Sequence, residues 1–273
     1  MSLIPKSFLN SVVAIGIDNN ATKYWIATGF FYGYFKSKIS EEESTYDTYL
    51  ITNKHVIEKY EKIYIRCNPP LGEKAMEFPL DLTINNIKTW TCHPDEKIDI
   101  VAILVNLKIL IDKKMEVNFF QSDHNKANIE KMKLIDVTEG DFIYVLGFPL
   151  GLVGNQRNNV IARSGCIAQI NNTLYMQDKD FLIDAAVFPG NSGGPVILKP
   201  ELCSLMGTKS HDQTFLLGIV SGYIPYQDTA VSLQTGKTRL ISMENSGLAT
   251  VIPVDFIDET IEEDKKNRSK KII

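Results

Sequence analysis

The stretch whose residue types could do chemistry most directly is Gly190-Asn191-Ser192-Gly193-Gly194-Pro195. A serine hydroxyl is a weak nucleophile until a neighbouring base takes its proton. Acyl transfer to it also needs donors aimed at the developing oxyanion. Glycines let a loop curl until the backbone N–H groups of Gly190 and Ser192, with Asn191 between them, converge on that point. A Gly-rich turn between strands is common, so the flanks matter. Asp184-Ala185-Ala186-Val187 reads as the end of a strand, and Pro195-Val196-Ile197-Leu198 reads as the next one.

The base needed beside such a serine must titrate near neutrality. Four histidines are present, and His55 sits where the apolar run Tyr49–Thr52 gives way to the short polar turn Asn53-Lys54. His93 precedes a proline, while His124 and His211 lie in polar segments, so these three are expected at the surface. Asp99 falls inside Ile98–Val105, where a carboxylate is costly to bury without hydrogen-bonding partners. The second ring nitrogen of a histidine would be such a partner, and the acid would fix the tautomer of the base.

The same stretch satisfies Gly-x-Ser-x-Gly, but that rival needs a strand–turn–helix context with acid and histidine after the serine. Here a strand headed by Pro195 follows, and His211 is the only later histidine. The order His55, Asp99, Ser192 is that of chymotrypsin-like folds rather than of subtilisins or α/β-hydrolases.

The elements that must position these groups read as strands. Short runs rich in β-branched and aromatic residues recur from Ser11–Ile17 to Ala249–Ile252, punctuated by Gly, Pro and Asn and without intervening amphipathic helices. That pattern predicts an all-β chain built as a sandwich or barrel. Two polar segments, Lys36–Asp47 and Asp112–Asp136, read as surface insertions, and the second separates the strands into two groups. The expected division is a first unit at 10–111, a connection at 112–137, a second unit at 138–253 and a C-terminal helix and tail at 254–273. Pro253 starts that helix, with acids early and Lys265, Lys266 and Arg268 late, as its dipole prefers.

Composition narrows the function classes. A net charge of −4 over 273 residues offers no broad basic face for nucleic acid. No run is long and apolar enough to span a bilayer, and the first residues lack the pattern of a leader. A cytoplasmic compartment is therefore expected, with Cys67, Cys92, Cys166 and Cys203 reduced. Their spacing matches no metal-ligand pattern, and no metal or other cofactor is expected.

With these residues in place the sequence resembles the trypsin-like serine peptidases, and among them the bacterial Deg/HtrA-type protease domain. Thr28-Gly29-Phe30-Phe31, Leu50–Val56, Asp99–Leu104, Gly140–Gly151, Asp184–Pro195, Leu217–Gly222 and Gly247–Pro253 carry the likeness in the family's order. The resemblance implies two six-stranded antiparallel β-barrels with a C-terminal helix, and peptide-bond hydrolysis in the cleft between them through an acyl-enzyme. It also implies an S1 pocket with its floor near Ala186, bordered by Phe188 and walled by Ser221, Gly222 and Tyr223. Ser221 is further expected to hydrogen-bond Asp99.

Alanine at the pocket floor predicts preference for a small or medium apolar residue before the cleaved bond. Asn191 stands where trypsin-like zymogens place an aspartate, which predicts activity without N-terminal cleavage. The expected partner is a protein or peptide substrate, with one dedicated partner protein as the favoured form. Neither a PDZ domain nor a membrane anchor is expected, so the family's peptide sensing and trimeric assembly do not carry over, and the oligomeric state stays open. Two alternatives stand beside the peptidase: a binding or regulatory protein on the same fold, inactive or awaiting a partner, and an esterase-like hydrolase, which the residue order disfavours.

Overall fold

A computed structural model describes residues 4–19, 22–41, 43–176, 178–201 and 209–270. The first half runs α1 (Lys6–Leu9), β1 (Val12–Asn19), β2 (Thr22–Lys38), β3 (Ser44–Thr52), α2 (Lys54–Ile57), β4 (Lys62–Cys67), β5 (Met76–Asp81), β6 (Thr83–Ile84), β7 (Ile87–Lys88), β8 (Trp90–Cys92), β9 (Val101–Leu104) and α3 (Leu107–Asp112). After β10 (Phe120–Gln121) and α4 (Ile129–Leu134) come β11 (Phe142–Gly147), β12 (Ile161–Gln169), α5 (Asn171–Tyr175), β13 (Phe181–Asp184), β14 (Pro195–Leu198), β15 (Leu216–Val231), β16 (Thr238–Pro253) and α6 (Asp255–Lys270).

The second half closes into a six-stranded barrel in the order β11-β12-β13-β16-β15-β14. The first half departs from the expected second closed barrel. It is an eight-stranded sheet, β5-β4-β1-β2-β3-β9-β8, with β10 added in parallel to β2. Its two end strands do not meet, because the chain between them folds on itself as the separate ribbon β6–β7. Pro79 inside β5 also removes a ladder donor, a substitution that sheets tolerate at an edge.

Period-two patterning explains the layers. One core cluster spans both halves and includes Phe30, Phe120, Leu146, Phe148, Ile197 and Ile252. The second barrel has its own interior around Val145, Ile183 and Val251, and the first sheet buries Ile15, Phe31 and Leu50 on its other face.

Three further expectations change in detail. Lys36–Asp47 is largely not an insertion loop: β2 runs on to Lys38 and β3 begins at Ser44, so the charged side chains line a projecting hairpin. The 112–137 connection is partly built into the first sheet through β10, and Asn128 caps α4 by accepting the Lys131 N–H at 3.0 Å. The expected tail, whose last residues 271–273 lie outside the described ones, is helical as far as Lys270. It is held by buried Asp264, whose carboxylate accepts from Thr91 Oγ1 (2.8 Å), Tyr49 OH (3.2 Å) and Arg268 Nε (2.6 Å). Among the described residues no helix is long and apolar enough to cross a membrane.

Candidate functional site

The strand β3 ends at buried Thr52, and buried Asn53 leads the chain into the one-turn helix α2 that carries His55. Asp99 lies just before β9, between buried Ile98 and Ile100. Those flanking side chains fix the backbone, and Asn53 Nδ2 donates to the Asp99 carbonyl at 2.7 Å. The Asp99 carboxylate grips residue 55 twice. Oδ1 accepts the His55 backbone N–H at 3.0 Å, and Oδ2 lies 2.5 Å from Nδ1 of the ring. With Nδ1 so occupied, Nε2 is the nitrogen left for other work. The expected bond from Ser221 to Asp99 is not among the hydrogen bonds of the described residues. Ser221 instead offers its carbonyl to Ser192 Oγ at 3.5 Å.

The loop bearing Ser192 is fastened on all sides. Thr28 on β2 donates its backbone N–H to the Ser192 carbonyl (3.0 Å) and its hydroxyl to the Gly190 carbonyl (2.7 Å). Gly193 N–H reaches the Val220 carbonyl on β15 at 3.0 Å, and Val220 N–H returns to the Gly194 carbonyl at 2.9 Å. Gly190 and Gly193 have φ of 100° and 82°, values that L side chains rarely adopt. A Cβ on Gly193 would lie 2.1 Å from the Thr28 carbonyl oxygen and 2.3 Å from Thr52 Oγ1. Serine 192 is thereby seated against the strand that leads to His55.

The donors of this loop fall into two kinds. Asn191 N–H is engaged with the Phe188 carbonyl at 2.9 Å, so it is not free to face an oxyanion as expected of the three-residue set. Its side-chain oxygen accepts the Phe188 N–H at 3.1 Å. Among the described residues Gly190 N–H and Ser192 N–H have no acceptor. The Pro189 carbonyl is held by Leu150 N–H at 2.6 Å. Since the peptide bond is trans and planar, the Gly190 N–H points to the opposite side.

The residues expected to border the S1 pocket lie on segments joined to this loop. Ala186 is exposed, Phe188 is half-buried under the guanidinium of Arg163 at 5.1 Å, Ser221 and Gly222 are half-buried, and Tyr223 is exposed. A Cβ built at Gly222 meets nothing within 4 Å, so the strand is open there.

Three participants were not singled out from sequence: Thr28, Asn53 and Asn245. Asn245 Nδ2 donates to the Val187 carbonyl at 2.5 Å and ties the Ala186–Phe188 segment to β16. Thr28 carried a signal, being next to a glycine in a buried β-rich run. Asn245 carried none, because its partner is 58 residues away.

Other histidines correct the expectation. Of the three expected at the surface, His124 is exposed, whereas His93 and His211 are buried. His93 Nδ1 accepts the Asp95 N–H at 3.0 Å and its Nε2 meets Glu259 of α6 at 3.0 Å, while His211 Nε2 faces Asp141 at 3.4 Å. Cys67, Cys92 and Cys166 are free thiols, and Cys203 lies outside the described residues. A cavity of about 970 Å³ lies between α6 and β7–β8, lined by Trp90, His93, Asp264 and Arg268 and not by Ser192.

A probable periplasmic serine endoprotease DegP-like of Chlamydia pneumoniae is 31% identical over 153 residues, 55% of this chain and 24% of that protein. The protein of the same name from Chlamydia trachomatis is 30% identical over a stretch of the same length. The chain thus spans about a quarter of the length of these curated relatives. The inactive form of the Rv3671c protease of M. tuberculosis H37Rv superimposes with a TM-score of 0.43 at 17% identity, covering 94% of this chain and 90% of that one. Residues 27–201 match the family model of the trypsin-like peptidase domain, and the chain belongs to that family.

Proposed function

We propose that this chain is a serine endopeptidase with Ser192 as nucleophile, His55 as general base and Asp99 as the group that orients the base. The observation that carries the reading is the double grip of Asp99 on residue 55, which fixes the ring and leaves Nε2 as the proton acceptor. The Ser192 hydroxyl would leave the Ser221 carbonyl, give its proton to Nε2 and attack the substrate carbonyl. The Gly190 and Ser192 N–H groups, which have no acceptor among the described residues, would receive the oxyanion. Collapse expels the amine, which takes the proton from His55, and water then releases the acyl group by the same steps in reverse.

The reading extends to a chymotrypsin-type arrangement, with the cleft between the open sheet and the closed barrel. Ala186, Ser221, Gly222 and Tyr223 would form the pocket for a small or medium apolar residue. Asn191 offers no charge to a freed N-terminus, which supports activity without N-terminal processing. The substrate is a protein or peptide, and a dedicated partner protein remains the favoured form. A cytoplasmic setting belongs to the same proposal; the relatives above are named periplasmic, and fractionation of the native protein decides between them.

The test is cleavage of an unfolded protein by the wild type, by Ser192→Ala and by His55→Ala. Cleavage lost in both variants with folding retained is expected; equal cleavage by Ser192→Ala overturns the assignment. One observation favours a second reading, a binding protein that waits for a partner: Ser192 Oγ is bonded to Ser221 and not to His55. Under that reading the isolated wild type is as inert as Ser192→Ala.

A further inference from the structure

Because the first sheet does not close, its interior has an open side. β5 is an end strand of that sheet, paired with β4 alone among the described residues. The chain that leaves β9 turns into α3, where the Asn106 side chain caps the helix by accepting the Lys108 N–H at 3.1 Å. Between β5 and α3 lies a cavity of about 370 Å³. Phe78 and Leu80 of β5 line one side of it, and Leu107 and Leu110 of α3 line the other. Phe31 of β2 and Ile65 of β4 also line it. Both are buried and belong to the interior cluster of this sheet, so the cavity reaches the core.

Three features set this cavity apart from a packing fault. Native interiors hold few voids larger than a water molecule, whereas this volume lies in the range of ligand pockets. The mouth is apolar as well, with Ile109 56% exposed and Leu104 39% exposed. Exposed apolar side chains gathered at a pocket mark a surface that a ligand covers. Finally, ten of the twelve lining residues are apolar, and the single charged one is Lys113, just past α3. Its ammonium lies 5.3 Å from the centroid of the Phe78 ring and meets no carboxylate among the described residues. A ring attracts a cation through its quadrupole and brings no opposite charge. The other polar lining residue, Asn106, already uses its side-chain oxygen in the cap of α3. The lining is complementary to an apolar chain and its rim to an anion.

We infer that this cavity binds a single-chain amphiphile with an anionic head, of the class of a free medium-chain fatty acid. The alkyl chain enters between β5 and α3 toward Phe31 and Ile65. The carboxylate stays at the mouth beside Lys113, where water still solvates it. A volume of about 370 Å³ equals that of roughly a dozen water molecules in the liquid, the size of an alkyl chain of about ten carbons. Bound there, the chain covers the open side of the sheet. Ser192, His55 and Asp99 do not line the cavity, and the inference is independent of the endopeptidase reading.

The test is calorimetric titration of the full chain with octanoate, decanoate and dodecanoate, below the concentrations at which they form micelles. Decylammonium is the control of opposite charge. Saturable binding is expected, tightening by about fourfold for each methylene between octanoate and decanoate. Decanoate should bind about fivefold more tightly than decylammonium, because a solvated charge contact is weak. Bound decanoate should also raise the unfolding temperature. Two variants sit at exposed positions, and circular dichroism checks their fold. Lys113→Glu should reverse the preference between the two heads. Ile109→Trp, which narrows the mouth, should weaken decanoate by about tenfold or more. Binding that does not saturate, that ignores chain length or that is unchanged in Ile109→Trp overturns the site. Equal binding of the two heads to the wild type, or a preference unmoved in Lys113→Glu, overturns the anionic class. Self-association that Ile109→Trp abolishes, without any binding of decanoate, assigns the mouth to a second copy of the chain and also overturns the inference.

Discussion

Thr28 of the first sheet and Gly190 of the loop that carries Ser192 are joined by a buried hydrogen bond of 2.7 Å, from the threonine hydroxyl to the glycine carbonyl. The same hydroxyl accepts the Phe148 N–H at 3.0 Å. One side chain of the first sheet thus holds two segments of the second half, the Ser192 loop and the chain at Phe148. Thr28→Val keeps the shape and strands a buried carbonyl and a buried N–H, each costing about 1–3 kcal/mol. Thermal or denaturant unfolding should show that loss, and turnover should fall by more than tenfold because Gly190 is no longer held.

Gly193→Ala is expected to be more severe. The residue sits at φ 82° and a Cβ would penetrate the Thr28 carbonyl and Thr52 hydroxyl. The neighbours are a backbone atom and a buried strand residue, so relief requires the two halves to part. Loss of measurable turnover is expected, and a variant within threefold of wild type would contradict the packing described.

Glu259 acts at a distance through His93. Its carboxylate meets His93 Nε2 while His93 Nδ1 accepts the Asp95 N–H, which ties α6 to the turn leading into Asp99. Glu259→Ala should lower kcat severalfold with KM little changed, since the acid that orients His55 loses a support. Glu259→Gln keeps an acceptor for Nε2–H and should restore most of the rate. Equal loss of kcat in both would refute the positioning role.

Cys67 is buried on β4, and burial pushes its thiol up to about 12. Alkylation needs the thiolate, and a raised thiol pKa leaves little of it near pH 8. In the native protein iodoacetamide should therefore modify Cys67 far more slowly than in the unfolded chain, as read by peptide mass mapping. Rapid native modification would show that β4 opens readily.

Much of the site was legible because it is local. Pro195 after the serine, the apolar flanks of Asp99 and the polar turn before His55 each mark a strand end, and strand ends are where cleft residues sit. The hairpin beyond Tyr223 was not legible. Its residues from Pro225 to Val231 are exposed, so no apolar periodicity marks them as strand. The burial of His93 escaped notice for a different reason: its partner Glu259 is 166 residues away, and only the docking of α6 brings the two together. Closure of the first sheet was overestimated because strand count says nothing about whether the two end strands meet.

The central claim is that Ser192 is made nucleophilic by His55. The most direct measurement is intact-mass analysis after treatment with a fluorophosphonate, for the wild type, Ser192→Ala and His55→Ala. The account predicts one adduct on the wild type, mapped to Ser192, none on Ser192→Ala, and labelling slowed by orders of magnitude in His55→Ala. Labelling of Ser192 at the same rate without the imidazole, or no adduct on the folded wild type, would contradict it.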